Sequence, residues 1–248
     1  MATPLEKLAD RKILLPTMKT PAKARLEDYN ILIYGQPKVG KSTLASQFDN
    51  PIFAATEAGL NALEVFQVPI PDWKTFLEFC KEVAAGQHVF KTVVIDTVDN
   101  LFDACSEDVC KKAGIQHESD LEWGKGWSMV RDEFTRAITK LSLLPYGLVM
   151  VSHAAFIEIK TRTGSITKAV PTMGKQAREV ILPMCDFVLY CTLEQTKDGQ
   201  KRIIKTRPSE NWDAGVRFLT FPAEIEMNCA AFKAAFKEAI EDGNGRKE

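Results

Sequence analysis

The chain has 248 residues and a formal net charge of −1, and 45% of its residues are hydrophobic and 26% charged. These values are typical of a globular protein that buries a large core. The near-neutral charge predicts neither nucleic-acid nor membrane binding, so any polyanion must be bound by a local patch.

Residues 1–28 mix prolines with charges of both signs and show no clear periodicity, so we interpret them as an N-terminal arm or linker. Charges inside the apolar part of segment 1–16 argue against a signal peptide. No apolar run approaches the roughly 20 residues of a membrane span. The six cysteines form no CxxC pair and have no histidine at zinc spacing, which favours free thiols in a reducing cytosol. We therefore expect a cytoplasmic protein without a membrane partner.

Strands and helices alternate through the next part of the chain. Short apolar runs predict strands at 30–35, 51–55, 92–96 and 148–152. Helical spacing of apolar residues predicts helices at 41–48, 72–85, 98–112 and 127–144. This alternation predicts an α/β fold with a mainly parallel central sheet flanked by helices.

Beyond residue 153 the pattern changes. Residues 157–167 alternate around a Thr-Gly-Ser turn, which indicates a hairpin or an ordered loop. Residues 187–193 and 202–206, joined by an Asp-Gly turn, predict a clearer β-hairpin towards the C-terminus, and 230–240 an amphipathic helix that ends near Gly243. We assign 29–220 to the core and 221–248 to a C-terminal helix and tail.

The segment YGQPKVGKST lies between the first strand and the first helix and fits the P-loop pattern G-x-x-x-x-G-K-[ST] without a mismatch. Its glycines let backbone N–H groups converge on phosphate oxygens. Lys41 is expected to reach the β- and γ-phosphates, and Ser42 to bind magnesium. The alternative, a glycine-rich turn with a chance lysine, is disfavoured by the strand and helix on either side. The predicted ATP-binding residues are Gly35, Gln36, Pro37, Lys38, Val39, Gly40, Lys41, Ser42 and Thr43.

Three polar residues end other apolar runs. Asp96 is predicted to hold Mg²⁺, with helix capping as the alternative. Glu57 is the predicted catalytic carboxylate that activates water, although an acid is also favoured at a helix N-terminus for electrostatic reasons alone. His153 is interpreted either as a sensor of the γ-phosphate or as a structural histidine, and the sequence leaves both open.

In this order, these elements resemble the RecA-type recombinase core. "IFAATEAGL" is similar to its strand with the catalytic glutamate, "TVVIDTVDNL" to its magnesium strand and "GLVMVSH" to its sensor strand. The segment "YGQPKVGKST" looks most similar to the P-loop of phage-encoded RecA-like ATPases, which are associated with single-strand annealing and recombination. The resemblance implies a RecA-like P-loop NTPase core over residues 29–220. It also implies that Lys205 and Arg207 stabilise charge on the ATP of a neighbouring subunit. His153 stands where the bacterial recombinase has an amide.

The resemblance further implies that the loop after the sensor strand binds single-stranded DNA. Residues 155–207 contain ten Lys or Arg against five Asp or Glu. A loop of this kind can follow a phosphate backbone through charge, and Phe156 is its one aromatic residue for stacking. A solvated basic hairpin is the alternative. The predicted DNA-binding residues are Lys160, Arg162, Lys168, Lys175 and Arg178.

Together these features predict a magnesium-dependent ATPase that binds single-stranded DNA as a ring or filament of its own copies and promotes annealing or homologous recombination. ATP binding is expected to order the 154–175 loop and hydrolysis to release it. A single-strand-binding protein is a candidate helper. Two alternatives remain: a P-loop kinase for a small molecule, which needs an arginine-rich lid, and a regulatory NTP-binding partner of a replication complex.

Overall fold

A computed structural model describes residues 16–20, 22–162, 164–197 and 199–245. Much of the predicted N-terminal arm, and Thr163 and Asp198 of the two predicted turns, therefore lie outside the described residues. The strands are β1 (Asn30–Gly35), β2 (Pro51–Ala55), β3 (Phe66–Pro69), β4 (Thr92–Asp96), β5 (Gly147–Thr161), β6 (Gly164–Pro171), β7 (Phe187–Thr196), β8 (Gly199–Lys205), β9 (Gly215–Val216) and β10 (Glu224–Glu226). The α-helices are α1 (Lys41–Ala45), α2 (Trp73–Ala85), α3 (Val98–Ala113), α4 (Lys125–Ser142), α5 (Lys175–Met184) and α6 (Cys229–Gly245).

The central sheet has the order β10-β8-β7-β1-β5-β4-β2-β3. Its middle is parallel, because β1 pairs in parallel with β5 and β7, and β4 with β5 and β2. The antiparallel hairpin β7–β8 extends the sheet at one end, and β10 continues it. The predicted α/β fold, with a mainly parallel sheet flanked by helices and a hairpin towards the C-terminus, is confirmed.

Apolar side chains pack on both faces of the sheet. Along β1, Leu32 faces one core cluster, while Ile31 and Ile33 face the other, as expected from the two-residue period of a strand. Helices α2, α3, α4 and α5 cover the first face, and α1 and α6 cover the second. The parallel strands β1, β2 and β4 are therefore buried on both sides, which explains their continuous apolar sequences.

Strand β5 has two halves in different surroundings. From Gly147 to His153 it pairs with β1 and β4 inside the sheet. From Ala154 it pairs with β6 alone, up to Thr161 opposite Gly164. We call residues 154–171 the arm. Of the two structures that the sequence left open around residue 164, a hairpin or an ordered loop, the structure has the hairpin, and it is longer than the alternating sequence indicated.

Several elements differ from the predictions. Helix α1 ends at Ala45 rather than residue 48. The edge strand β3 and the short strands β9 and β10 were not predicted. Residues 175–184 form helix α5, so the predicted DNA-binding residues Lys175 and Arg178 lie on a helix and not in a loop. Most of the predicted 154–175 loop likewise forms paired strands, which are the strands of the arm.

Two other expectations concern the whole chain. All six cysteines are free thiols, as predicted. Over the described residues, no helix has the length and apolar character needed to cross a membrane.

Candidate functional site

The P-loop connects the carboxyl end of β1 to α1, and its backbone requires glycine at two positions. A Cβ on Gly35 would stand 2.3 Å from the carbonyl oxygen of Cys191 on the neighbouring strand, so no larger residue fits. Gly40 has φ 108°, a conformation that favours glycine. The loop therefore passes close to β7 and turns directly into α1. It lines a cavity of about 410 Å³ together with Glu57, Asp96 and His153.

Lys41 is the first residue of α1 and is buried, with only 5% of its surface exposed. Its Nζ donates hydrogen bonds to the carbonyl oxygens of Gly35 at 2.9 Å and Gln36 at 3.0 Å. Nζ also lies 3.4 Å from Nδ1 of His153. Burial lowers the pKa of Lys41, and the nearby acids oppose this shift. The structure thus places the P-loop lysine inside the loop, where phosphate oxygens can replace its carbonyl partners.

Asp96 ends β4 at the base of this cavity and is 3% exposed. Its Oδ2 has no hydrogen-bond partner among the described residues. Burial raises the pKa of Asp96, while the nearby Ser42 hydroxyl and Lys41 act in the opposite direction. A buried carboxylate oxygen without a partner beside a hydroxyl fits Mg²⁺, which commonly uses one or two protein oxygens and completes its shell with phosphates and water. Within the described residues, no cluster of three or more His, Cys, Asp or Glu side chains could hold a metal alone.

Glu57 lies just after β2 and faces His153 across the cavity. Nε2 of His153 is 3.6 Å from Oε2 of Glu57. Since Nδ1 of the same ring faces the Lys41 ammonium, the arrangement favours the tautomer with hydrogen on Nε2, so that this N–H faces the carboxylate. The structure therefore brings Lys41, His153 and Glu57 into one polar chain beside the P-loop.

The backbone of His153 is fixed by helix α3. Asp99, in the first turn of α3, accepts hydrogen bonds from Ser152 Oγ at 2.9 Å and from the His153 N–H at 3.3 Å. Burial raises the pKa of Asp99. The helix that follows Asp96 is thus tied to the strand that ends in His153.

Comparison with known families identifies this core. The AAA_24 family, described as an AAA domain, matches residues 27–218, well over half of the chain. The chain belongs to the AAA_24 family. Within this AAA_24 core, the P-loop, Asp96 and Glu57 converge on one cavity.

Other known proteins are similar to parts of the chain. The SPbeta prophage-derived uncharacterized protein YorG of Bacillus subtilis strain 168 is 26% identical over 200 residues, which cover 78% of this chain but 59% of YorG. A KaiC-like protein of Pyrococcus horikoshii has 14% identity and a TM-score of 0.44, with 75% of this chain and 84% of that chain covered. The flagellar accessory protein FlaH of Methanocaldococcus jannaschii has 12% identity and a TM-score of 0.42, with 72% and 77% covered.

The predicted DNA-binding residues have different surroundings. Lys160 on the arm and Arg162 at its tip are exposed and form no ion pair or side-chain hydrogen bond with a described residue. Lys168 on β6 is paired with Asp213 at 2.5 Å. Nζ of Lys175 on α5 lies 3.9 Å from Oε1 of Glu179 on the same helix. These residues are thus spread over the arm and the adjacent helix of the AAA_24 core.

Lys205 and Arg207, the predicted residues for a neighbouring subunit's ATP, are both engaged within the chain. Nζ of Lys205 lies 2.6 Å from Glu224 and 3.5 Å from Glu194. Nη2 of Arg207 donates to the carbonyl oxygens of Phe218, Leu219 and Phe221 at 2.7–3.0 Å. Arg207 lies beyond the end of β8 and not on the strand. Their action on a neighbouring subunit stays a prediction.

The sequence analysis did not single out Arg202 or Asn100. A Cβ on Gly40 of the P-loop would stand 3.8 Å from Nη1 of Arg202, so this guanidinium lies at the rim of the nucleotide site. Strand pairing of β8 with β7 brings it there, and no local motif marks it. Asn100 contacts Glu57, and its one sequence signal is its place in the first helical turn after Asp96.

Proposed function

We propose that this protein is a magnesium-dependent ATPase that binds single-stranded DNA along the arm and couples its nucleotide state to that binding. The observation that carries the proposal is the continuity of β5. His153 contacts the P-loop lysine and Glu57, and the same 15-residue strand continues without a break into the arm. A shift of His153 can therefore move the arm directly.

Within the site, each residue has a distinct part in the proposed hydrolysis. Lys41 binds the phosphates, and Asp96 with Ser42 would hold Mg²⁺, which neutralises charge on the phosphate oxygens. Glu57 orients the attacking water and accepts its proton. The imidazole of His153 faces the Glu57 carboxylate and lies within reach of the position that a γ-phosphate would take beside Lys41. We assign it the sensor role rather than a structural one.

The DNA part of the proposal rests on exposed cations and aromatic side chains of the arm and near helix α5. Lys160 and Arg162 are free to contact phosphates, and Phe156 on the arm is 53% exposed. Next to α5, Trp123 is 99% exposed, and Gly124 beside it lines a cleft of about 240 Å³ with Lys175. Cations that follow a backbone, with aromatic side chains for base stacking, suit a single strand without sequence preference.

The prophage origin of a relative bears on the biological setting. A prophage-derived relative favours a phage-encoded protein that acts in the cytoplasm of its host. We propose that it promotes annealing or homologous recombination as a ring or filament of its own copies, with a single-strand-binding protein as helper. The trans-acting roles of Lys205 and Arg207 belong to this part of the proposal.

The proposal is tested by ATP hydrolysis with and without an unstructured single-stranded DNA, at low and high salt, for the wild type and Glu57→Gln. We expect DNA to stimulate the wild type in a salt-sensitive way, and the variant to lose at least about 100-fold in kcat while it still binds ATP. A rate of ATP hydrolysis that does not change with DNA would reject the proposed coupling between nucleotide state and DNA binding. Phosphoryl transfer to an added small molecule would instead identify a kinase. ATP binding without turnover in the wild type would identify a regulatory NTP-binding protein.

A further inference from the structure

The carboxylate of Glu57 is held through one oxygen. Oε2 lies 3.4 Å from Nδ2 of Asn100 and 3.6 Å from Nε2 of His153. The other oxygen, Oε1, has no hydrogen bond to a described residue. The hydrogen bond from Asn100 and the facing imidazole of His153 therefore direct Oε2 without occupying Oε1, the oxygen that could accept a proton.

Asn100 is placed by the first turn of α3. This helix begins at Val98, two residues after Asp96. The neighbouring Asp99 is anchored to Ser152 and to the backbone of His153, which fixes the rotation of the turn. Successive helical residues point about 100° apart. With Asp99 directed at β5, Asn100 is directed at Glu57.

The surroundings of Oε1 also leave this oxygen accessible. A Cβ on Gly59 would stand 3.3 Å from Oε1, which is closer than most side-chain contacts. Glycine at this position leaves the oxygen accessible from the cavity that the P-loop and Asp96 also line. The open side of the carboxylate therefore faces the space where nucleotide and water would meet.

We infer that Asn100 is a positioning residue for hydrolysis: with His153 it holds Oε2 of Glu57 so that Oε1 is presented to the attacking water. Asn100 acts through Glu57 and is not among the residues that line the P-loop cavity. The inference rests on the proposed function, because it assumes that Glu57 activates water. Loss of one donor leaves the carboxylate free to rotate, which lowers the rate of the chemical step and leaves ATP binding intact.

The test compares Asn100→Ala in the wild type and in the Glu57→Gln background. In the wild type we expect kcat to fall about tenfold, with KM for ATP and the Kd of a non-hydrolysable ATP analogue changed by less than about twofold. In the Glu57→Gln background the same substitution should have no further effect, because the group through which Asn100 acts is already lost. Asn100→Asp keeps the size but replaces the donor by a like charge, and it should be at least as slow as Asn100→Ala.

Asp103→Ala is the matched control. Asp103 is exposed one helical turn further along α3, and its substitution should leave kcat unchanged. Equal losses from Asn100→Ala in both backgrounds, or a weaker affinity for the analogue, would overturn the positioning role. An unchanged kcat in Asn100→Ala together with an inactive Glu57→Gln would reject this inference and leave the proposed ATPase intact. A fully active Glu57→Gln would reject both.

Discussion

The arm and the β7–β8 hairpin are both basic in sequence, but their lysines and arginines have different partners. On the arm, Lys160 and Arg162 contact no acidic side chain among the described residues. On the second hairpin, Lys201 lies 2.7 Å from Glu226, and Lys205 lies 2.6 Å from Glu224. The arm thus keeps Lys160 and Arg162 available to a ligand. In the β7–β8 hairpin, Lys201 and Lys205 instead form ion pairs that hold neighbouring strands together.

The difference arises from pairing between distant segments. Strand β10 pairs with β8, so that Glu224 is opposite Lys205 and Glu226 is opposite Ile203. Cross-strand ion pairs of this kind contribute modestly to stability, and they reduce the charge that a polyanion experiences. Lys205 also lies 5.4 Å from the centre of the Trp212 ring. Its location therefore suits a structural role within the sheet, whatever it does in an assembly.

The strongest test of this comparison is the double substitution Lys160→Ala and Arg162→Ala. Because these cations have no acidic partner in the described part of the chain, we expect single-stranded DNA affinity to fall by at least about tenfold at low salt. The slope of log K against log salt should decrease by about 1.4 for two lost phosphate contacts. Fluorescence anisotropy with labelled oligo-dT over a salt series measures both quantities.

The matched control is Lys201→Ala with Lys233→Ala, which removes the same charge from two lysines that have acidic partners. Its affinity should stay within about twofold of the wild type, since Glu226 and Asp49 already neutralise these lysines. Equal losses in the two double variants would mean that total charge, rather than location, determines binding.

A smaller effect is expected at Trp123, which extends the comparison from charge to stacking. Trp123→Ala should weaken single-stranded DNA binding about fivefold, since stacking of one base contributes about 1–3 kcal/mol. The salt slope should not change, because no phosphate contact is removed. Trp123→Phe should retain most of the affinity. Thermal unfolding should be unaffected in both variants, as the side chain is 99% exposed. A wild-type affinity in Trp123→Ala would restrict the DNA surface to the arm.

The smallest effect concerns the one arm lysine that does have an acidic partner. Asp213→Asn breaks the ion pair with Lys168, and we expect the affinity for oligo-dT to rise about twofold at low salt. Glu210→Gln makes the same charge change at an exposed position close in sequence and should alter the affinity less. The same anisotropy measurement compares them. An equal gain in the two variants would show that release of Lys168 is not the cause.

Local sequence patterns predicted most of the strands and helices up to His153. The strands ending in Gly35 and Asp96 were predicted with their observed bounds, because strands buried on both faces appear as continuous apolar runs. The P-loop also has a strict local spacing. Helix α5 was missed because its sequence follows a basic, partly polar segment, and β10 because three residues carry too little periodicity.

By itself, the sequence determined the α/β class and the P-loop with its Lys41, and it predicted Asp96, Glu57 and His153 at the ends of apolar runs. Parallel strands bring such ends to one edge of the sheet, so this clustering follows from order along the chain. Only the tertiary structure decided which cations remain free, that Arg202 reaches the P-loop, and that Asn100 holds Glu57. Those contacts join residues that are far apart in sequence or are oriented by packing, and no local pattern records them.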